Sequence, residues 1–141
     1  MGTMIQEASP TLEEFQGYEG CNEILNVTRP DIIASIHAQY LKSGAEAIET
    51  NTFGANFANL AEYAIEDRIE ELAYAGAKVA REVADDFNTA EKPRWVLGSM
   101  GPGTKLPSLG HEKFSVLRDA YQLSAKGLIR GGADAILIET A

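Results

Sequence analysis

The order of helical and extended segments is the feature that most constrains this chain. Amphipathic patterns predict three helices, and a short, partly apolar segment follows each of them. The helices span residues 28–44, 59–87 and 113–130, and the extended segments span residues 45–52, 94–99 and 135–139. The part of the second helix before Glu66 could form a separate short helix. Helices that alternate with short strands are typical of a parallel sheet with helical crossovers, so the expected fold class is α/β.

Each predicted helix has an apolar stripe that is expected to be packed. Thr28 is the expected N-cap of the first helix, and Gly44 is expected to end it in the left-handed conformation. The stripes consist of Ile33, Ile36 and Tyr40, with Ile32 and Leu41 beside them, in the first helix; Ile65, Ile69, Leu72, Gly76, Val79, Val83 and Phe87 in the second; and Phe114, Leu117, Tyr121, Ala125 and Leu128 in the third.

An internal repeat supports the expected α/β class. Residues 43–50 (SGAEAIET) resemble residues 131–140 (GGADAILIET), and each copy follows a helix, enters a strand and ends in Glu-Thr. A repeated βα unit builds a (β/α)₈ barrel, and it equally builds a doubly wound sheet. A barrel usually needs about 250 residues. With three strands and an N-terminal stub, the chain is expected to be half of a closed sheet, either as a fragment or paired with another chain.

Composition excludes several classes of protein. Twelve Lys and Arg against 21 Asp and Glu give a formal net charge of -9, and no basic run indicates a nucleic-acid partner. No apolar run is long enough to span a membrane, and residues 1–6 do not resemble a secretory signal, so a cytoplasmic location is expected. Cys21 is the single cysteine, which excludes an internal disulfide and a multi-cysteine metal site within this chain.

Candidate site residues follow from the position of active sites in parallel α/β folds, at the carboxyl ends of strands. These ends carry Gly2 and Thr3 in the stub, residues 49–52 (ETNT), residues 99–103 (SMGPG), and Glu139. Two carboxylates on one face can hold an ammonium group, and backbone N–H groups at Gly2 and Thr3 can bind a carboxylate. Together they indicate an amino-acid ligand. The alternative is that Glu49 and Glu139 only hydrogen-bond to neighbouring loops.

Several motifs, in order along the chain, carry a family resemblance. Residues 1–6 (MGTMIQ) resemble a first-strand exit whose usual motif is D-G-A-M-G-T. The resemblance continues through residues 20–23 (GCNE), 28–31 (TRPD), 49–53 (ETNTF), 98–102 (GSMGP), 104–111 (TKLPSLGH) and 131–140. The whole chain resembles the homocysteine S-methyltransferase family. The family fold is a (β/α)₈ barrel. The resemblance therefore implies that residues 1–141 are the N-terminal half of a homocysteine-binding barrel domain, with its first strand truncated.

The resemblance also implies an activity and a set of site residues. The family transfers a methyl group to the thiol of homocysteine, giving methionine. A zinc ion on three cysteines binds the sulfur. In the cobalamin-dependent branch, methylcobalamin is the immediate donor, methyltetrahydrofolate is the ultimate donor, and separate domains bind each. By resemblance, Gly2 and Thr3 receive the homocysteine carboxylate, Glu139 holds its amino group, and three residues line the floor of the pocket. Those three residues are Glu49, Thr50 and Asn51.

The chain departs from the family pattern in two places. The Asp of the first motif precedes Met1, and the three zinc cysteines belong to later strands. Cys21 does not match them, and Cys21, His37 and His111 do not form a plausible zinc set. Cys21 is expected to be packed or partly exposed and Trp95 to lie in the core, with His37 structural or solvated and His111 capping the third helix. No catalytic residue and no metal ligand is expected in this chain, which alone should neither bind zinc stoichiometrically nor turn over.

Two rival functions remain open at this stage. A related enzyme could use betaine or S-methylmethionine as the methyl donor, because the donor does not depend on this chain. A protein of a different class, a non-catalytic half-barrel, could instead act by pairing with a partner. Its exposed strand edges would favour such association.

Overall fold

A three-stranded parallel sheet is the centre of the fold in the computed structural model, which describes residues 1–140. The strands are β1 (Ala47–Glu49), β2 (Trp95–Met100) and β3 (Ala135–Ile138), in the spatial order β1-β2-β3. Ile48 pairs with Val96, and Gly98 pairs with Ile136. The predicted α/β class and the parallel strands joined by helical crossovers are confirmed. The carboxyl ends of the three strands consequently lie at one edge.

The described residues also form six α-helices. They are α1 (Gly2–Ala8), α2 (Leu25–Thr28), α3 (Pro30–Lys42), α4 (Phe57–Ala61), α5 (Ile69–Phe87) and α6 (Phe114–Arg130). Short 3₁₀ turns lie at Asn22–Ile24, Glu66–Arg68 and Pro107–Leu109. The predicted second helix is therefore two helices, because a break before Ile69 separates α4 from α5.

Helix α5 supplies much of the core. Its predicted stripe is buried at Ile69, Leu72, Gly76, Val79 and Val83, with the 3.6-residue period of an amphipathic helix. Ile48 of β1 and Val96 of β2 pack with Leu41, Ala80, Val83 and Ala84 on the helix side of the sheet. This packing leaves the side chain of Glu49 on the opposite, open face of β1.

The stripe predicted for α6 is wrong at most of its positions. Phe114 is 70% exposed, and Leu117, Tyr121 and Ala125 are only partly buried. Apart from Leu128, the buried residues of α6 are small, namely Ala120, Ser124 and Gly127. A Cβ added at Gly127 would lie 2.6 Å from the Glu70 carbonyl oxygen of α5, so the two helices approach too closely for larger side chains.

Four local predictions are also wrong. Residues 2 and 3 begin helix α1 instead of ending a strand. Thr28 does not cap α3, because its hydroxyl donates to the Ile24 carbonyl and Arg29 is the N-cap residue. Trp95 is 50% exposed and Tyr40 is 46% exposed, although both were expected to be packed. Trp95 opposes Ala47 in the register, on the open face of the sheet. In contrast, Gly44 takes the expected left-handed conformation, with φ of 106°.

Among residues 1–140, no helix combines the length and the apolar character that a membrane span requires.

Candidate functional site

A cavity of about 540 Å³ lies where the three strands end. We call it the strand-end cavity. It is formed by the N-terminus, the Asn22–Ile24 turn, helix α3, strand β1 with its following loop, and the ends of β2 and β3. Its lining residues are Met1, Gly2, Asn22, Glu23, His37, Tyr40, residues 47–53, Ser99 and Glu139. A ligand in this cavity could contact side chains from all three strand ends.

Five of the six predicted site residues line this cavity, namely Gly2, Glu49, Thr50, Asn51 and Glu139. Thr3 does not line it, because its side chain is exposed on α1. A Cβ added at Gly2 would meet only Asn22 Nδ2, at 3.8 Å. The space beside the Gly2 backbone is therefore open to a ligand.

The charged side chains that line the cavity are acidic. Glu23, Glu49 and Glu139 contribute carboxyl groups, and the lining contains no Lys or Arg. Burial, together with the positive Met1 amino group, lowers the pKa of His37 to about 4, so His37 is neutral at pH 7. Burial also raises the pKa of Glu23. The carboxylates of Glu49 and Glu139 outnumber the positive Met1 amino group, so the cavity favours a cationic group such as an ammonium over an isolated anion.

Two threonine hydroxyls connect the loop after β1 to the backbone of Ser99 on β2. The backbone N–H of Ser99 donates to Thr50 Oγ1 at 3.0 Å, and Thr50 Oγ1 lies 2.6 Å from Thr52 Oγ1. The Thr52 hydroxyl donates to the Ser99 carbonyl at 2.6 Å. All three residues are buried, so these bonds satisfy groups that water does not reach. They hold the end of β2 against the loop that follows β1.

The end of β3 joins this network through Ser99. The Ser99 hydroxyl donates to Oε1 of Glu139, across a separation of 40 residues along the chain. The Glu139 backbone N–H donates to the Met100 carbonyl at 3.1 Å, which fixes the backbone on the same side. Glu139 is thus attached to β2 through both its backbone and its side chain.

A pair of buried amides fixes Asn51. Asn51 Nδ2 donates to the Asn22 carbonyl at 2.9 Å and to Asn26 Oδ1 at 3.0 Å. Asn26 Nδ2 in turn donates to the carbonyls of Asn51, at 2.8 Å, and Leu72, at 3.2 Å. The Asn51 side-chain donors are therefore committed to protein groups, and Oδ1 is the atom it can offer to a ligand.

Glu23 is a cavity residue that sequence reasoning missed. Its Oε1 accepts from the Gly54 N–H at 2.8 Å, and its Oε2 accepts from the Cys21 thiol at 3.7 Å. A Cβ at Gly54 would lie 2.6 Å from Glu23 Oε1, so this close approach requires glycine. Glu23 was present in the GCNE motif, but the motif alone did not indicate that its carboxyl turns inward.

Cys21 is packed, which is one of the two environments expected for it, and we expect its thiol to be unreactive in the folded chain. It is fully buried, and burial, reinforced by the Glu23 carboxylate, raises its pKa to about 11 from an ordinary value of 9.0.

The reaction of the Cys21 thiol with an aromatic disulfide reagent at pH 8 should be at least about 100-fold slower in the folded chain than in the chain unfolded by urea, since the thiolate is the nucleophile. Because only the unfolded thiol ionises between pH 9 and 11, this group should also lower stability as pH rises through that range. Equal labelling rates in the two conditions would contradict the burial.

The described residues do not form a metal centre. Among residues 1–140 there is no group of three or more His, Cys, Asp or Glu side chains placed to hold a metal ion. His111 Nδ1 accepts from the Leu106 N–H within its own loop, so His111 does not cap α6 as predicted. His37 is buried with Nε2 unpartnered among the described residues, and it belongs to the wall of the strand-end cavity. The zinc ion that the family resemblance implies does not fit the residues present here.

The fold and the cavity together define an α/β protein with a polar cavity at the ends of its parallel strands. The chain belongs to the homocysteine S-methyltransferase family, whose model matches residues 1–141. It is 57% identical over 140 residues to the methionine synthase of Mycobacterium tuberculosis and 56% identical to that of Mycobacterium leprae. These matches cover 99% of this chain but only 12% of each relative.

Solved structures show the same fold at much lower sequence identity. The homocysteine methyltransferase MmuM of Escherichia coli superposes with a TM-score of 0.70 in its oxidised form and 0.73 in its metallated form, at 19% identity in both cases. The matches cover 96% and 99% of this chain, and 49% and 51% of the MmuM chain. The described fold is therefore similar to about half of that enzyme's structure.

Proposed function

We propose that this chain is the amino-acid-binding half of a barrel that transfers a methyl group to the thiol of homocysteine, giving methionine. Residues 1–141 would be the N-terminal half of a (β/α)₈ barrel, about its first four βα units with the first strand truncated, in a cytoplasmic methionine synthase. The observation that carries the proposal is the strand-end cavity, whose charged side chains are acidic and which brings Gly2, Asn51 and Glu139 together. Family membership supplies the identity of the amino acid.

Each polar group of the cavity can be assigned to a part of homocysteine. Glu139 would bind the ammonium group, because it is a carboxylate at the end of β3 on the cavity wall. The open backbone at Gly2, with the neighbouring N–H of Thr3, would receive the carboxylate. Glu49 and Asn51 would line the floor, with Thr50 behind them. The acidic lining disfavours a free carboxylate, so the backbone N–H groups would have to offset that repulsion.

The thiol end of the substrate would be handled by parts of the enzyme other than these residues. Zinc and methylcobalamin are implied by the family, and no ligand set for zinc exists among the described residues. Folate- and cobalamin-binding domains would be partners of this segment in the complete enzyme. The role of the present residues is then to bind and orient the amino-acid end of homocysteine.

A hybrid enzyme tests this proposal. In it, this chain replaces the matching 140 residues of the M. tuberculosis methionine synthase, which is 57% identical there. We expect the hybrid to make methionine from homocysteine with methyltetrahydrofolate within about tenfold of the parent rate, since the site groups would be preserved. A hybrid that folds and is inactive with methyltetrahydrofolate would contradict the proposal. Activity only with betaine or S-methylmethionine would instead support the rival donors.

A further inference from the structure

We propose that Ser99 is a positioning residue, which aims the Glu139 carboxylate at the substrate ammonium, and that Thr50 and Thr52 act on the substrate only through Ser99. This inference rests on the proposed function, because it assigns Glu139 to the amino group of homocysteine. It assigns a role to Ser99, and it changes the role of Thr50 from a substrate contact to a support.

Counting hydrogens gives each hydroxyl one direction of donation. The Thr52 hydroxyl has a single hydrogen, and it is used on the Ser99 carbonyl at 2.6 Å. The 2.6 Å contact between the two threonine hydroxyls must therefore be a donation from Thr50 to Thr52. Thr50 also accepts from the Ser99 N–H at 3.0 Å. The three bonds form a closed ring that begins and ends on the Ser99 backbone.

This ring leaves neither threonine with a hydrogen for a ligand. Thr50 is 4% exposed and Thr52 is 1% exposed, so water does not offer them alternative partners. Both backbone polar groups of Ser99 are held, and the residue is 2% exposed itself. The position of Ser99 Oγ is consequently set by the loop after β1, on the neighbouring strand.

The Ser99 hydroxyl then selects one orientation of Glu139. A carboxylate can only accept, so Ser99 Oγ donates to Oε1. Among the described residues Oε2 has no hydrogen-bond partner, and Glu139 lies on the cavity wall, so Oε2 is the oxygen left for the ammonium. Fixing a carboxylate before the ligand arrives avoids an ordering cost on binding.

The test compares two ligands in the hybrid enzyme. Homocysteine has the amino group, and 4-sulfanylbutanoate lacks it and serves as a competitive inhibitor. We expect Ser99→Ala to raise the KM for homocysteine about tenfold and to leave the Ki of 4-sulfanylbutanoate within about twofold, because only the first ligand uses Glu139. Thr50→Val should also raise the KM for homocysteine. The double variant Ser99→Ala/Thr50→Val should raise this KM little more than Ser99→Ala alone, because both substitutions interrupt the same chain of hydrogen bonds.

The matched control is Ser124→Ala, a buried serine on α6 that does not line the cavity. Ser124→Ala should leave the KM for homocysteine and the Ki of 4-sulfanylbutanoate unchanged. A Ser99→Ala variant that behaves like this control, or one that weakens both ligands equally, would overturn the positioning role while leaving the proposed function intact. An unmodified hybrid that binds the two ligands equally would instead overturn the assignment of Glu139 to the amino group.

Discussion

The Asn26→Ala variant of this chain is expected to lose about 3 kcal/mol of unfolding free energy, a large fraction of the stability of an ordinary domain. Asn26 is 3% exposed, and its amide donates to the carbonyls of Asn51 and Leu72. Alanine would leave the Asn51 carbonyl without this donor and Asn51 Nδ2 without its Asn26 acceptor, whereas the Leu72 carbonyl keeps its helical bond within α5. Each unpaired buried group costs about 1–3 kcal/mol. Urea unfolding followed by circular dichroism measures the loss.

The matched control is Asn88→Ala. Asn88 is exposed, and its Oδ1 accepts from the Arg94 N–H at 3.0 Å in a surface loop. Water can replace this bond, so we expect a loss below about 1 kcal/mol. Equal losses in the two variants would contradict the view that the amide pair holds the 3₁₀ turn at Asn22–Ile24, the loop after β1 and helix α5 together.

The alternation of elements could be predicted because its signals are local. The stripe of α5 has a regular period, and the two Glu-Thr repeats mark the ends of β1 and β3. The stripe of α6 could not be predicted in the same way. It was assigned to the bulky residues, but the buried face is the small one, because Gly127 and Gly131 allow the α5 backbone to come close. A hydrophobic pattern in the sequence carries no information about how closely two helix backbones approach each other.

The candidate site was partly predictable for a related reason. Strands that run parallel must end at one edge, so Glu49, Asn51 and Glu139 could be grouped without knowing any distance. Ser99 was grouped with the strand ends, but its contact with Glu139 could not be identified, and neither could Asn26, since both depend on partners 40 and 25 residues away. A serine or an asparagine has the same local appearance whether its side chain faces water or a buried carbonyl.

The Glu139→Gln variant of the hybrid enzyme is expected to raise the KM for homocysteine about 100-fold, with the free energy of unfolding changed by less than about 1 kcal/mol. Glutamine has the same shape and still offers an oxygen to Ser99 Oγ, so the contact that Oε1 makes in the protein can persist. It removes the negative charge that would pair with the ammonium, and loss of a charged partner in a desolvated site costs about 2–5 kcal/mol. Steady-state kinetics and thermal unfolding measure the two effects separately.

A second carboxylate gives the comparison its control. Glu46→Gln removes the same charge at the opposite end of β1, where Glu46 is exposed and lies outside the strand-end cavity. The KM of the Glu46→Gln hybrid for homocysteine should stay within about twofold of the value for the unmodified hybrid, because solvent screens an exposed charge outside the cavity. If Glu139→Gln also stayed within twofold, Glu139 would be excluded as the ammonium partner. Glu49, a cavity carboxylate with no hydrogen-bond partner among the described residues, would then be the residue to replace, because an ammonium in this cavity still needs an opposite charge.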